Sequence, residues 1–270
     1  MVITVRNEED HLPQLLDSLL VQEGPFEVVL VESESRDRTW EIAQEYARRA
    51  PEVIRVYQHP GSRGIGRNVA AAHARGEYLA FIDGDCYAAP DWLHALRGAV
   101  GPTTIVGGRT VTTGEHSYGQ LERVELYQSG YDVTFPSCNL AYPKALFDRL
   151  GGFDPRFITA EDIDLNLRAV RTGADIRSVP EAVVYHHTRS TFLRFLYQAF
   201  WNGYGRKQLT EKQGSLWGRY RMSRLLTGQQ GVIAWARLAA AFAGYVVRVL
   251  TGGDRRLGDG APPAAERPGA

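Results

Sequence analysis

The chain has 270 residues, with 31 basic and 31 acidic side chains, two cysteines and 44% hydrophobic residues. This is the length of one large domain, or of one domain with an extension, and the composition is that of a globular protein with a sizeable core. Two cysteines exclude a disulfide scaffold, and neither is paired with histidines at zinc-site spacing. The N-terminal segment has no basic leader before an apolar run, so we expect no cleaved signal and a reducing, cytoplasmic location.

The net charge of zero conceals two parts of opposite sign. Residues 1–188 carry 18 basic and 27 acidic side chains, whereas residues 189–270 carry 13 basic and 4 acidic side chains. Such an asymmetry predicts that the C-terminal part contacts a polyanion or an anionic surface.

Short apolar runs alternate with segments of helical period over the first hundred residues. The predicted strands are Val2–Val5, Phe26–Val31, Val53–Tyr57 and Tyr78–Ile82. Helices are predicted over 10–21, over a segment that includes Trp40 and Ala50, and near 66–75. This alternation predicts an α/β fold with a mostly parallel sheet flanked by helices, in which ligands lie beyond the carboxyl ends of the strands.

The pattern is less regular after residue 101. Strands are predicted over Ile105–Val111, Ile176–Val179 and Ala182–Tyr185, and helices over 117–128, Lys144–Leu150 and Ala160–Arg171. Residues 190–250 are predicted to be mostly helical. The last segment, 251–270, is rich in Gly, Pro and Ala and is predicted to be disordered.

Asp83-Gly84-Asp85 directly follows the predicted strand that ends at Ile82. Two carboxylates at a strand end supply the oxygen ligands that Mg²⁺ and Mn²⁺ prefer, with positions left open for phosphate oxygens. The alternative is an Asp-Gly turn that joins two elements and binds nothing. Further along the chain, His186 ends a short β run and is a candidate metal ligand, although a lone histidine is more often structural.

Thr159-Ala160-Glu161-Asp162 opens a predicted helix. One interpretation is a capping box, with Thr159 as the N-cap and Asp162 at the third helical position. The other is a general base, because the positive end of the helix dipole keeps a carboxylate ionised near neutral pH.

Two further segments have the composition of nucleotide or phosphate sites. Glu32 to Asp37 is acidic and follows the second predicted strand, so it offers carboxylates to a base or ribose, or alternatively a helix cap. Gly61 to Asn68 is rich in glycine and arginine before a helix, which suits a phosphate. It is not a dinucleotide-binding fingerprint, because Val69 stands where the third glycine would be.

The order of these motifs resembles that of the inverting family 2 glycosyltransferases, which have the GT-A fold. Val5 to Glu9 is similar to the family's opening nucleotide-binding strand and loop. The likeness extends over about residues 2–206, through Val28–Thr39, Arg67–Asp85, Cys138–Tyr142, Leu150–Asp154, Ala160–Leu165, His186 and Tyr204–Arg206. The resemblance implies a GT-A catalytic domain over 1–188, followed by a basic and aromatic helical extension over 189–250 and a disordered tail over 251–270.

The resemblance also implies roles for individual residues. A UDP- or GDP-sugar donor would contact Arg6, Asn7, Glu8, Glu32, Arg67, Asp83, Gly84 and Asn139. Mg²⁺ or Mn²⁺ would be held by Asp85, Asp83 and His186. Asp162, with Glu161 beside it, would take the proton from an acceptor hydroxyl. That oxygen would then attack the anomeric carbon from the face opposite the leaving group, which inverts the anomer.

Two departures from the family pattern refine this interpretation. Glu32 and Ser33 stand where the family's base-contacting acids usually lie, and Glu34 replaces a glycine, so the nucleotide stays open. The Gln-x-x-Arg-Trp motif of processive synthases is absent. The resemblance therefore implies transfer of a single sugar to a glycan or a lipid-linked acceptor in envelope or glycan biosynthesis.

The C-terminal part combines basic and aromatic residues. Residues 189–224 contain eight Lys or Arg and one acidic residue, which suits a membrane interface or a lipid phosphate. No nucleic-acid motif accompanies them, so no nucleic-acid partner is expected. In residues 232–250, Arg237 and Arg248 lie within about 20° of one helix face. This favours an amphipathic helix on the inner face of the plasma membrane over one that spans it, and the alternative for the whole region is an ordinary extension packed on the α/β domain.

Two other functions stay open at this point. A sugar-1-phosphate nucleotidyltransferase would use a related sheet, but it would have a glycine-rich basic loop where Arg6 to Glu9 stands. A non-catalytic nucleotide-sugar or membrane-binding module would bind without turnover. Donor hydrolysis assayed with Mn²⁺ separates the module from an enzyme.

Overall fold

The computed structural model describes residues 1–113, 124–187, 191–220 and 231–251. Ten strands lie in these ranges: β1 Val2–Val5, β2 Val28–Glu32, β3 Ile54–Gln58, β4 Tyr78–Asp83, β5 Cys86–Ala88, β6 Thr104–Thr113, β7 Tyr127–Gln128, β8 Tyr131–Asp132, β9 Asn139–Pro143 and β10 Asp175–His187. Eight of them form one sheet in the order β3-β2-β1-β4-β9-β6-β10-β5, and β7 pairs with β8 separately.

Helices cover both faces of this sheet. They are α1 Leu12–Leu20, α2 Thr39–Arg49, α3 Arg63–His73, α4 Trp92–Ala99, α5 Lys144–Arg149, α6 Glu161–Arg171, α7 Phe192–Gln213 and α8 Val232–Leu250, with a 3₁₀ turn at Trp217–Arg219. α3 begins earlier than the sequence predicts, because the Ser62 hydroxyl caps it by accepting from the Ile65 amide.

The first four strands along the chain are parallel, and so are β6 and β10, whereas β9 and β5 run antiparallel to their neighbours. The predicted α/β class with a flanked, mostly parallel sheet is confirmed. In the register of the sheet, Val5 lies opposite Glu32, and Thr4 lies opposite Asp83. The loops that follow β1, β2 and β4 therefore leave the same edge of the sheet side by side.

The core has one layer on each side of the sheet. Alternate residues of β2 divide between the layers: Val29 and Val31 pack on one side, and Val28 and Leu30 on the other. All four are fully buried, as expected for a parallel strand covered on both faces. The leucines predicted to form the apolar face of α1 lie in the second layer.

Some predicted elements are wrong. The two short strands predicted over 176–185 are one strand, β10, with an irregularity between Val179 and Val183. The predicted helix over 117–128 is wrong at its end, where Tyr127–Gln128 is a strand, and residues 114–123 lie outside the described residues. So do residues 252–270, on which most of the predicted disordered tail falls.

The C-terminal helices pack closely on each other, and α7 packs on the α/β domain. A Cβ on Gly203 of α7 would lie 1.7 Å from the Ala241 carbonyl oxygen, and one on Gly244 of α8 would lie 1.9 Å from that of Phe200. Leu209 of α7 is fully buried in the same layer of the core as β2 and α6. α7 therefore packs into the body of the protein. Few residues of α8 are buried, and by length and composition alone it is long and apolar enough to cross a membrane.

Candidate active site

A cavity of about 970 Å³ lies beyond the carboxyl ends of β1 and β4. Six of the residues predicted to bind donor or metal line it: Arg6, Glu8, Asp83, Gly84, Asp85 and His186. The structure therefore brings together the ends of three strands and one loop that are far apart in the sequence, at the edge where the strand order predicts a ligand.

Asp85 and His186 form a pair on the wall of this cavity. The His186 Nε2 atom lies 3.4 Å from the Asp85 Oδ2 atom. Burial lowers the pKa of His186, but the hydrogen bond to Asp85 and its charge outweigh this effect and raise the pKa to about 9. A carboxylate and an imidazole are donors that Mn²⁺ and related divalent ions accept. The donor set of this pair fits a divalent cation.

Asp83, the other predicted ligand of the motif, has a different partner. Its Oδ1 atom accepts a hydrogen bond from Arg67 at 2.6 Å. Burial would raise the pKa of Asp83, but the charges of Arg67 and Arg63 hold it below its usual value. Asp83 therefore faces the cavity as an ionised carboxylate, and the Arg67 guanidinium balances its negative charge.

Gly84 allows the loop between these carboxylates to approach β1. A Cβ on Gly84 would lie 2.9 Å from Val5 Cγ1 and 3.0 Å from Glu8 Cγ. The Asp-Gly turn that the sequence also allows is present, and it brings Asp85 to the same cavity as Glu8. The turn and the candidate site are the same feature.

Arg67 is predicted to bind phosphate, but the structure buries it. Only 2% of its side chain is exposed, and its guanidinium donates to Glu161 Oε1 at 2.9 Å as well as to Asp83. It also lies over the Phe153 ring. As folded, this side chain is held inside the protein, and it links α3 to β4 and α6.

Glu32 and Asn139 are also predicted to contact the donor, and both are fully buried. The Glu32 carboxylate accepts hydrogen bonds from the Ser35 amide and the Gln58 side chain. The Asn139 amide donates to the carbonyls of Arg109 and Ala182, and its oxygen accepts from Trp92 Nε1. As placed, Glu32 supports the loop after β2, Asn139 ties together β6, β10 and α4, and neither lines the cavity.

Asn7 lies at the edge of the site and joins the loops that follow β1 and β2. Its side-chain oxygen accepts from the Arg36 backbone amide at 2.8 Å, and its backbone amide donates to Ser35 Oγ at 2.9 Å. Asn7 and Glu34 both have positive φ values, 55° and 52°. Such conformations are uncommon outside glycine and often occur at functional sites.

Asp162 lies at the start of α6, next to Glu161. The predicted capping box is wrong: the helix begins after Ala160, which has a φ of 66°, and no side chain caps it. The Thr159 hydroxyl donates instead to the Trp201 carbonyl of α7. The Asp162 carboxylate accepts from the amides of Ser137 and Ile163. A side chain with two acceptor bonds of this kind has a fixed direction.

Burial, and after it the charge of Glu161, raise the pKa of Asp162 to about 6, although Arg67 acts in the opposite direction. Asp162 is half-buried and does not line the cavity. The charge of Arg67 acts on both Asp162 and Asp83, so one guanidinium influences the ionisation of both carboxylates.

The sequence analysis missed a wall of the cavity that comes from the C-terminal helices. Arg194, Gln198 and Asn202 of α7 line it, together with Arg237 of α8. The three α7 residues follow at spacings of four, so they lie on one helix face. The spacing of these polar residues is present in the sequence, but the aromatic and basic residues of the same segment indicated a membrane interface instead.

Matches to known protein families show to which family this chain belongs. Residues 1–146 match the model of Glycosyl transferase family 2, and residues 102–252 match that of Glycosyl transferase family group 2. The chain belongs to glycosyltransferase family 2. It is therefore a glycosyltransferase that uses a nucleotide sugar.

Curated relatives of this glycosyltransferase come from bacteria and archaea. It is 25% identical over 232 residues to the uncharacterized glycosyltransferase EpsJ of Bacillus subtilis, covering 78% of this chain and 67% of the relative. It is 26% identical to the glycosyltransferase AglE of Haloferax volcanii, with coverages of 77% and 73%. The pre-mycofactocin glycosyltransferase of Mycobacterium tuberculosis is 24% identical, and the match spans 46% of its length.

Solved structures show the same fold. The mannosyltransferase PcManGT from Pyrobaculum calidifontis, in complex with GDP-Man and Mn²⁺, has a TM-score of 0.63 and 22% identity, covering 93% of this chain and 74% of that one. Staphylococcus aureus TarS 1-349 in complex with UDP-GlcNAc has a TM-score of 0.57 and 19% identity, with coverages of 92% and 80%. The family 2 glycosyltransferase described here therefore has the GT-A fold.

The raised pKa of Asp162 has a consequence for stability. The usual value is 3.8 and the folded value about 6, so the folded state holds this proton more tightly than the unfolded chain. The resulting stability is fully present below about pH 3.8 and is lost as the pH rises through about 6. Asn cannot ionise, so we expect the stability of Asp162→Asn relative to the unsubstituted protein to be higher at pH 8 than at pH 4. The difference is at most about 3 kcal/mol and smaller in practice, because the side chain is partly exposed.

Urea unfolding of both proteins at pH 4 and pH 8 measures this effect. Asp148→Asn on the surface of α5 is the matched control, since it removes an exposed carboxylate. A stability difference between Asp162→Asn and the unsubstituted protein that is the same at both pH values would contradict a raised pKa.

Proposed function

We propose that this glycosyltransferase transfers one sugar from a UDP- or GDP-sugar to an acceptor hydroxyl or lipid phosphate, with inversion of the anomer. The observation that carries the proposal is the cavity that joins Asp83, Gly84, Asp85 and His186 to the end of β1. The Asp85–His186 pair, which could hold a divalent ion, lies around the same edge of the sheet as the half-buried Asp162 carboxylate with its raised pKa. The chain is also similar to a poly(ribitol-phosphate) beta-N-acetylglucosaminyltransferase of Staphylococcus aureus and to the O-antigen biosynthesis protein RfbC of Myxococcus xanthus, which supports a role in glycan or envelope biosynthesis.

The donor would occupy the floor of the cavity. Arg6 and Glu8 line it from the β1 loop, and Ser33 lines it from the β2 loop, so we assign these residues and Asn7 at the rim to the nucleoside. Arg63, Arg194 and Arg237 line other parts of the same cavity, and their positive charge suits a diphosphate. Because Glu32, Arg67 and Asn139 are buried, we propose that they hold the cavity wall in place and do not contact the donor.

Asp85 and His186 would hold the divalent ion, Mg²⁺ or Mn²⁺, with Asp83 close by. When bound, such an ion neutralises charge that develops on the diphosphate leaving group. Asp85 and His186 orient each other across 3.4 Å, and the Arg67 guanidinium keeps Asp83 ionised beside them.

Asp162 would take the acceptor proton. A general base acts best when its pKa lies near the working pH, and the pKa of Asp162 is raised to about 6. Bonds from the amides of Ser137 and Ile163 fix the direction of the carboxylate. Glu161, the other predicted catalytic residue, is bound to Arg67, so we assign it a positioning role.

The acceptor side would face a membrane. α8 exposes large apolar side chains, including Trp235 at 62%, Phe242 at 69% and Leu250 at 78%. Tyr197 of α7 is exposed and also lines the cavity. Apolar residues with a net positive charge around them favour an interface with anionic lipid. We propose a peripheral attachment at the cytoplasmic face of the plasma membrane, which would present the cavity to a lipid-linked acceptor.

Asp162→Asn tests the base. Because Asn cannot accept the proton, we expect turnover to fall by about 10²–10⁴-fold, with donor binding unchanged. In the unsubstituted enzyme, turnover should rise with pH through about 6 as Asp162 ionises. Steady-state transfer with a panel of nucleotide sugars and Mn²⁺ measures both effects, with Asp148→Asn as the control. Turnover near the unsubstituted level would refute the assignment.

Asp85→Ala tests the metal pair. We expect it to lose the metal-dependent part of donor binding, since the variant lacks the carboxylate ligand of the pair. Calorimetric titration of the nucleotide sugar with and without Mn²⁺ measures this loss. Asp91→Ala, an exposed aspartate before α4, is the matched control, and identical titrations for the two variants would rule out a role for Asp85.

A double substitution, Trp235→Ser with Phe242→Ser, tests the membrane surface. We expect the double variant to lose co-flotation with phosphatidylglycerol-containing vesicles, because burial of two aromatic side chains at the interface contributes several kcal/mol, about 1.5–3 for each side chain. Val21→Ser is the control, since Val21 is 70% exposed at the end of α1. If the double variant floats as well as the control does, α8 is not the docking element.

A further inference from the structure

Two amide side chains of α7 face the proposed active site and are not used by the fold. Gln198 and Asn202 are exposed, and both line the cavity. Within the part of the chain that the structure describes, neither amide takes part in a hydrogen bond. Gln208 of the same helix is different, because its amide accepts from the Ile158 backbone amide at 3.4 Å and donates to the Arg156 carbonyl at 3.2 Å. The first two amides are therefore available to a ligand, whereas the third supports a loop.

The helix that carries these amides packs on the segment that leads to the proposed base. The Thr159 hydroxyl donates to the Trp201 carbonyl at 2.8 Å, and a Cβ on Gly205 would lie 2.1 Å from Thr159 Oγ1. Ile158 of this segment lines the cavity, and Asp162 follows four residues later. This side of the cavity is therefore the one that receives the acceptor in the proposed function.

The chemistry of the two amides suits hydroxyl groups. Each amide has two N–H donors and one acceptor oxygen, and a hydroxyl group both donates and accepts, so either partner can take either role. Gln198 and Asn202 are four residues apart, which puts their Cβ atoms about 5–6 Å apart on one helix face. At this spacing the two side chains can contact different hydroxyls of one sugar ring.

Tyr197 places an aromatic ring next to the amides. It is exposed and lines the cavity, and Trp201 contacts it edge to face, with the ring centroids 6.0 Å apart. The face of an aromatic ring is negative and attracts the C–H groups of a sugar. A ring beside two amides favours a saccharide. Because Arg194 lies one turn before Gln198 on the same wall, the alternative occupant is a phosphate head group.

We propose that Gln198, Asn202 and Tyr197 form an acceptor subsite for a neutral sugar residue, so that the attacking hydroxyl belongs to a glycan or a glycolipid and not to a bare lipid phosphate. The inference rests on the proposed function, which puts the donor and the base at the other walls. The hydroxyl oxygen would bond to the anomeric carbon, the bond from that carbon to the diphosphate would break, and Asp162 would take the proton. A fully ionised phosphate would have no proton for Asp162 to remove.

Acceptors that share one alkyl chain and differ in their head group test this inference. Donor hydrolysis with Mn²⁺ first identifies the nucleotide sugar that the full chain uses. Steady-state transfer is then measured to octyl glucoside, octyl mannoside and octyl N-acetylglucosaminide, and to octyl phosphate and octanol. We expect at least one glycoside to have a kcat/KM at least about tenfold above that of octyl phosphate, because a site built to bind hydroxyls rejects a group that lacks them.

Alanine substitutions of the two amides test the assigned residues. We expect Gln198→Ala and Asn202→Ala each to raise the KM for the glycoside about fivefold, since each removes one hydrogen bond, and to raise the KM for octyl phosphate less. Tyr197→Phe keeps the ring and should raise the KM for the glycoside less than Tyr197→Ala does. Gln44→Ala is the matched control, because it removes an amide of α2 that does not line the cavity.

The outcomes separate this inference from the proposed function. If octyl phosphate is the better acceptor, or if the donor is hydrolysed and no glycoside receives the sugar, the saccharide subsite is refuted and the donor site stands. If the folded amide variants have the same KM for the glycoside as Gln44→Ala, these residues do not bind the acceptor and the inference is wrong. If no nucleotide sugar is hydrolysed or transferred with Mn²⁺, the proposed function fails and the inference fails with it. Circular dichroism checks folding, and the comparison of head groups in the unsubstituted enzyme decides the matter should a variant not fold.

Discussion

The Arg67 guanidinium lies between Asp83 and Glu161, at 2.6 and 2.9 Å, with almost none of its surface exposed. Removing three charged groups from water is costly, and such an arrangement persists only where the geometry satisfies every partner. Here one cation neutralises two carboxylates that belong to different elements, β4 and α6. Loss of the cation alone would leave both acids buried without compensation, which typically costs about 3–5 kcal/mol. The relative position of the two halves of the site depends on this contact.

Several features of the site make sense as consequences of that constraint. Arg67 keeps Asp83 ionised at the cavity wall and also limits how far burial raises the pKa of Asp162. Positive φ values occur at Ala160, from which α6 begins, and at Asn7 and Glu34 in the loops after β1 and β2. Such conformations cost about 1–3 kcal/mol each and persist where the surrounding structure holds them in place. The stability of the sheet offsets the cost of these conformations in the loops at its edge.

The sheet and the location of the site were predictable from sequence, because they follow from periodicity and from the order of motifs. Hydrophobic runs of strand length gave the strands, and the parallel connections bring Val5, Glu32 and Asp83 to one edge. Side-chain direction was not predictable. Arg67 and Glu32 lie in the segments that carry the family's donor-binding motifs, yet both side chains point inward. Their direction could not be predicted because it depends on the partners Glu161 and Gln58, which are remote in sequence. The β5–β10 register that places Cys86 opposite His186 is equally invisible before folding.

The contact between α7 and α8 links two parts of the molecule that could otherwise act separately. At Gly203 and Gly244 the helix backbones are so close that any side chain would collide with a carbonyl group of the other helix, so the two helices are in direct backbone contact. One of them carries the exposed apolar surface, and the other carries Gln198 and Asn202 into the cavity. A displacement of α8 would therefore reach the cavity wall through its contact with α7.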